Sequence, residues 1–170
     1  EMPVTLYDAT VARFLQSLGA VSGYLEKGRA HCEDNNIDLN EIVETRLYPD
    51  MLPFRFQLIQ VASHSIGAVS GALAGEYKPG PAAEDLDYRA LQDLINDAQT
   101  GLQQVSTYEV SALEGKEVIT HWWPFNAEGF LMSFSLPSFY FHVTTAYDIL
   151  RIKGVPVGKM DYLGQINTKT

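Results

Sequence analysis

Four stretches of this chain carry apolar residues at steps of three and four, and that rhythm commits most of it to packed helices rather than to a sheet. The clearest is Tyr88, Leu91, Ile95, Ala98, Leu102 and Val105, a strict alternation of three and four that suits an antiparallel bundle, with Asp93 and Asp97 turned outward. This helix is expected to begin near Glu84–Leu86 and to end near Ser106–Thr107. The first helix places Val11, Phe14, Leu15, Leu18, Val21 and Leu25 on one face. Thr5 and Asp8 form a capping-box pair ahead of it, and the helix fades by Asp34–Asn36. Asp38 with Glu41 caps a further short turn.

The second long helix is expected to be capped by Asp50, with Pro53 tolerated in its first turn. Leu52, Phe56, Ile59, Ile66 and Leu73 mark its buried stripe, with Ser63 and Ser70 on the same side. Gly67, Gly71 and Gly75 make a row at four-residue spacing. Each glycine costs about 0.5–1 kcal/mol inside a helix, so the row implies a close backbone or ligand, or a loosely optimised helix end. Lys78-Pro79-Gly80-Pro81 reads as a loop. Glu117–Trp123 is rich in β-branched and aromatic residues and reads as one strand of a small hairpin. The last helix starts near Asn126–Glu128, kinks at Pro137, buries Phe139, Val143, Ala146, Ile149 and Leu150, and ends at Gly154 before Pro156.

Composition narrows the function classes. With 21 acidic and 12 basic residues the net charge is −9, which does not suit a nucleic-acid backbone. The chain is 46% apolar and 19% charged, a globular balance. At 170 residues it can bury about 70% of its surface, enough for one domain over 1–170 with flexible ends at 1–4 and 164–170. A single cysteine, Cys32, excludes a disulfide framework and points to a reducing compartment. No stretch reaches the ~18–20 unbroken apolar residues of a membrane span, because Gln60, His64, Pro137 and His142 interrupt the longest runs. With no basic-then-apolar leader, a cytoplasmic protein without nucleic-acid or membrane partners is expected. The opening Glu1-Met2 pair is given no structural role.

Two histidines carry most of the chemical interest. His142 lies inside the apolar arc of the last helix, one turn from Phe139, Thr145 and Ala146. An unpaired buried ring costs about 1–3 kcal/mol, so it is either a hydrogen-bonded core histidine or a metal ligand or general base in a cleft. His64 shares a face with Gln57, Gln60, Gly67 and Gly71, opposite the expected stripe, as solvent surface or as a cleft wall. A catalytic zinc needs three protein ligands, and His64 with His142 gives two, leaving the third to a residue such as Gln60 or a carboxylate. There is no HExxH motif, and Ala146 stands one turn after His142. His31 next to Cys32 makes no dyad, because adjacent helical residues point about 100° apart. Arg46, Asp50 and Arg55 cluster at the Pro49 turn, as a salt-bridge network or an anion site. Trp122, Trp123, Tyr140 and Tyr147 are candidates for an apolar pocket or a dimer contact.

The segments Leu6-Tyr7-Asp8-Ala9-Thr10-Val11, Leu47-Tyr48-Pro49-Asp50-Met51, Pro137-Ser138-Phe139-Tyr140-Phe141-His142-Val143-Thr144-Thr145-Ala146-Tyr147 and Gly154-Val155-Pro156-Val157-Gly158-Lys159 resemble a bacterial domain family of unknown function related to the DinB/YfiT-like four-helix proteins. The resemblance runs from about Pro3 to Leu163. It implies an all-α four-helix bundle with a long crossover, here with the small β-hairpin before the last helix, and often a homodimer. DinB-like relatives hold a divalent metal through three histidines, and some are thiol transferases or hydrolases. His142 matches the first histidine of their last-helix pair, and Ala146 stands where the second belongs. His64 lies on the matching helix, later than the usual ligand, with Gln57 or Gln60 in the earlier place.

The resulting expectation is a cytosolic bundle that binds a small molecule or serves as a scaffold without a full metal site and without a cofactor. His142, Tyr147, Asp50 and Gln60 are its pocket candidates, and His64 with His142 its incomplete metal pair. The alternatives are a Zn- or Ni-dependent enzyme and a structural homodimer.

Overall fold

A computed structural model describes residues 3–80 and 85–169. Four long helices make the body. Helix α1 (Leu6–Ala9) is a single turn closed by the Thr5/Asp8 capping box. The chain breaks at Thr10, whose hydroxyl donates to the Leu6 carbonyl, and α2 (Val11–Asp34) follows. Helix α3 (Leu39–Val43) is capped by Asp38. Helix α4 runs through Phe54–Ala62, a π turn at Ser63–Gly67, and Ala68–Ala74. Helix α5 (Tyr88–Gln103) starts at the Asp87 cap, and α6 (Thr107–Ser111) at a Ser106/Glu109 capping box. Strands β1 (Glu117–Val118) and β2 (Phe125–Asn126) pair antiparallel, Val118 facing Phe125. Helix α7 begins with Ala127–Gly129 at the Asn126 cap, passes a π turn at Phe130–Ser135, and continues as Leu136–Ile152. Helix α8 (Lys159–Leu163) lies on α2.

The long helices form a closed ring of contacts: α2 on α5, α5 on α4, α4 on α7, and α7 on α2. Consecutive helices α2 and α4 therefore sit across a diagonal, as do α5 and α7. The link through α3 lies at the C-terminal end of α7, where Lys153 stands 3.8 Å from Glu41, and the hairpin lies at its N-terminal end, where the Ala127 N–H donates to the Lys116 carbonyl. Phe14 from α2 meets Phe139 from α7 edge-on, ring centroids 4.9 Å apart, at the centre of the core. Tyr24 and Tyr88 are buried, and each satisfies its hydroxyl on a carbonyl of a neighbouring helix, Val143 and Leu25 respectively. The last helix closes as expected. Gly154 at φ +84° lets its N–H reach Arg151 and lets the Val155 N–H reach Leu150, the paired bonds of a Schellman motif.

The structure departs from expectation along α4. The helix starts at Phe54, with Pro53 before it and no side-chain cap; Asp50 is exposed in the preceding turn. Leu52, Ser70 and Leu73 are exposed, while Gln57, Val61, His64, Ala68 and Ala72 are buried. The departure begins ahead of the π turn, at Gln57 and Val61, because α4 is covered on more than one side, by α5 and by α7, so the face opposite the expected stripe is buried as well. Ser65 stabilises that turn by donating to the Val61 carbonyl at 2.7 Å. In α7 the π turn ends just before Pro137, so the imino nitrogen falls where the regular bonding ladder is already broken. Helix α5 ends at Gln103, and the capped turn α6 that follows was not expected. Pro81 of the expected loop, the Glu84 start of the third helix, Glu1-Met2 and the last residue of the expected flexible tail fall outside the described residues.

Candidate functional site

Where α4 and α7 meet, both π turns abut, and the hairpin covers their end. Two backbone bonds hold it there: Tyr77 N–H to Ile119 O and Ile119 N–H to Gly75 O, each 2.9 Å. The chain returns close to Gly71, where an added Cβ would stand 3.0 Å from Tyr77 Cα and 3.1 Å from the Glu76 carbonyl, tight enough that the Glu76–Tyr77 backbone would have to give way by a few tenths of an ångström. Gly75 supplies the left-handed turn at φ +81°. One expected glycine of the row thus answers to a passing backbone, and another to a turn. Beyond β1, Thr120 Oγ1 accepts from the Trp122 and Trp123 N–H groups and donates to the Trp123 carbonyl at 2.7 Å. That turn fixes the two indoles at the rim of a cavity of about 450 Å³.

Phe56, Gln60, His64, Pro79, Gly80, Trp122, Trp123 and Phe134 line the cavity. Phe134 comes from the π turn of α7 and His64 from that of α4. The two rings meet edge-on at 5.5 Å. Trp122 and Trp123 are 48% and 58% exposed, whereas His64 is 7% exposed. The His142 ring lies 5.8 Å from the His64 ring and within 11° of parallel to it, with Phe56 across its edge. Tyr77 backs His64 from the other side and is held by Ser63 at 2.7 Å.

Gln57, 2% exposed, organises the pair. Its amide nitrogen donates to the Leu52 carbonyl at 2.9 Å, and a carbonyl can only accept. Its oxygen therefore faces His142 Nδ1, at 2.7 Å. Nδ1 must be the protonated nitrogen, and in the neutral ring Nε2 is left as a lone pair. Burial depresses both imidazoles to about 4: desolvation alone for His64, and desolvation plus the neighbouring His64 for His142. Both rings are neutral near pH 7. His64 Nδ1 is sealed from solvent without a hydrogen-bond partner, an unusual state for a buried polar atom.

The expected site residues separate into two groups. His64 and Gln60 reach the cavity, and His142 lies against His64. Tyr147 faces the opposite flank, where it packs on Tyr24 and Tyr162. Asp50 stays exposed in its turn. Arg46 donates to the Met51 carbonyl and Arg55 pairs with Glu44. Ala146 is fully buried, so the position one turn beyond His142 belongs to the core. Among the described residues no group of three or more His, Cys, Asp or Glu is placed to share a metal ion. Two imidazoles backed by an amide and an alanine do not fit the three-ligand centre that the resemblance implies. Phe134 was not foreseen; its only sequence signal is the i, i+4 step from Phe130.

Four helices with diagonal links, carrying inward histidines on the second and fourth long helices, define a DinB-like protein. A crystal structure described as a DinB family member protein from Shewanella denitrificans matches with a TM-score of 0.84 at 27% identity, covering 97% of this chain and 95% of that one. The chain belongs to the family described as Domain of unknown function (DUF1993), which it matches over residues 6–163. A comparison with curated proteins found no match. Among the described residues no helix is long and apolar enough to cross a membrane.

Proposed function

We propose that this chain is a cytoplasmic ligand-binding bundle that takes a small organic molecule into the cavity between α4, α7 and the hairpin, without a complete metal centre. The observation that carries this reading is His64: a buried neutral imidazole with an unpartnered nitrogen, in the floor of a cavity walled by four aromatic side chains. Apolar walls with a few placed polar groups are the common composition of small-molecule sites. The buried thiol of Cys32 supports the reducing compartment.

A neutral fluorescent dye, N-phenyl-1-naphthylamine, tests the reading. It is expected to brighten on binding one equivalent, and Phe134→Ala is expected to abolish that while the chain stays folded by circular dichroism. Absence of saturable uptake would overturn the proposal. Equilibrium dialysis against Zn²⁺ and Ni²⁺ is expected to leave less than about a tenth of an equivalent bound. One tightly held equivalent, lost in both His64→Leu and His142→Leu, would replace this reading with the metal-dependent enzyme. The half-exposed tryptophans would also suit a second copy of the chain. Light scattering that shows a dimer whose formation excludes the dye would favour the homodimer.

A further inference from the structure

The shape and charge of the same cavity specify a ligand class, and this step rests on the ligand-binding reading above. Trp122 and Phe134 meet at 45° with centroids 5.6 Å apart, and Trp123 and Phe134 at 70° and 6.3 Å. Phe56 closes another side. Planes at such angles form a corner. A flat aromatic guest prefers offset parallel or edge-on partners, whereas a corner of ring faces suits a rounded group. The described lining residues carry no Asp, Glu, Lys or Arg. An anion, or a compact strongly hydrated ammonium, would surrender its water here with no charged partner in return. A methylated ammonium asks for no hydrogen bonds, and its spread positive charge is attracted to indole and phenyl faces. The chain as a whole carries −9, which draws cations towards it.

We infer that the cavity of Trp122, Trp123, Phe134 and Phe56 binds a free small molecule bearing a methylated ammonium group, such as a trimethylammonium or dimethylammonium head. Gln60, at the cavity wall, supplies hydrogen bonds for the polar remainder of that molecule, and the His64 ring packs beneath it.

Trp122 and Trp123 are the chain's two tryptophans, so intrinsic fluorescence reports directly on this site. The experiment titrates the protein at low salt and pH 7.5 with choline and with 3,3-dimethyl-1-butanol, its uncharged tert-butyl isostere. Choline is expected to bind about tenfold or more tightly than the isostere. Trp122→Leu, at a half-exposed position where folding is checked by thermal melting, is expected to remove most of that preference while Trp123 still reports. Equal or tighter binding of the isostere would overturn the cation assignment, and the dye experiment would still stand for the cavity itself. No response to either compound while the dye binds would overturn it as well. Capture by phosphatidylcholine vesicles without any response to free choline would overturn the assignment to a free small molecule.

Discussion

The flank where α2 packs on α5 and the flank where α4 meets α7 are built from the same helical periodicity, yet they differ in local regularity. On the first, Tyr88 donates its hydroxyl to the Leu25 carbonyl of α2 at 2.6 Å, and Tyr24, at the neighbouring seam of α2 with α7, donates to the Val143 carbonyl at 3.2 Å, while Arg13 Nε of α2 is buried without a partner. On the second, His64 Nδ1 and Ser135 Oγ are sealed without partners, both helices pass through π turns, and two tryptophans stand half in solvent. An unpaired buried polar atom costs about 1–3 kcal/mol, and π turns cluster at functional sites. What sets the second flank apart is that π turns, half-exposed indoles and unpartnered buried atoms coincide there, the local departures from regular packing expected where a site is built into a scaffold.

The largest test of that contrast is Phe14→Ala, in the core between α2 and α7. It is expected to cost about 3–5 kcal/mol, read as a fall in the urea midpoint with an unchanged slope. A loss below about 1 kcal/mol would show that this core is not the stabilising centre.

Acid is next. His64 and His142 titrate at about 4 in the folded chain and near 6.5 when unfolded. Between those values the unfolded chain holds more protons, so stability falls as pH drops from 6.5 towards 4 and is flat above 6.5 with respect to these groups. The pair accounts for a change on the order of 3 kcal/mol after allowance for solvent screening. Urea melts at pH 4.5 and 7, compared with those of His64→Leu, should show a smaller drop in the variant. An identical drop would place the acid sensitivity elsewhere.

Gly28→Ala probes the tyrosine flank. The new methyl would overlap the Tyr88 hydroxyl, which donates to Leu25. A loss of about 1–3 kcal/mol is expected from this overpacking. Tyr88→Phe combined with Gly28→Ala should recover part of it.

The smallest effect runs the other way. At pH 7, His64→Leu removes an unpartnered polar atom at nearly constant volume. It is expected to leave stability unchanged or raise it by up to about 1 kcal/mol, while impairing dye binding. A loss of 2 kcal/mol or more would mean that His64 belongs to the structural flank, and the contrast would fail.

Much of the bundle was legible because helix periodicity and capping are local. Thr5/Asp8, Asp38, Asn126 and the Gly154 stop all act within a few residues of the backbone groups they satisfy. In α5 the expected stripe is buried from Tyr88 to Leu102 for the same reason, and Val105 falls beyond the helix end. In α4 the face of Gln57, Val61 and His64 is covered by α7, and polar and small residues on that face give no sign in the sequence that another helix lies over it. His64 therefore sat on a face that looked free to be solvent. His142 was placed inward from sequence, but its partner Gln57 lies 85 positions away and depends on how α4 and α7 cross.

The order of apolar and capping residues alone determined that this chain makes four long helices with a short hairpin before the last, because helical hydrogen bonds and caps close within one or two turns. The site was decided by tertiary structure. The Glu76–Tyr77 backbone had to pass Gly71 and bond to Ile119, two π turns had to meet, and the tryptophan turn had to settle over them before His64, stacked on His142, became the floor of a cavity. Those contacts join residues distant in sequence, and their geometry comes from packing, which no local pattern encodes.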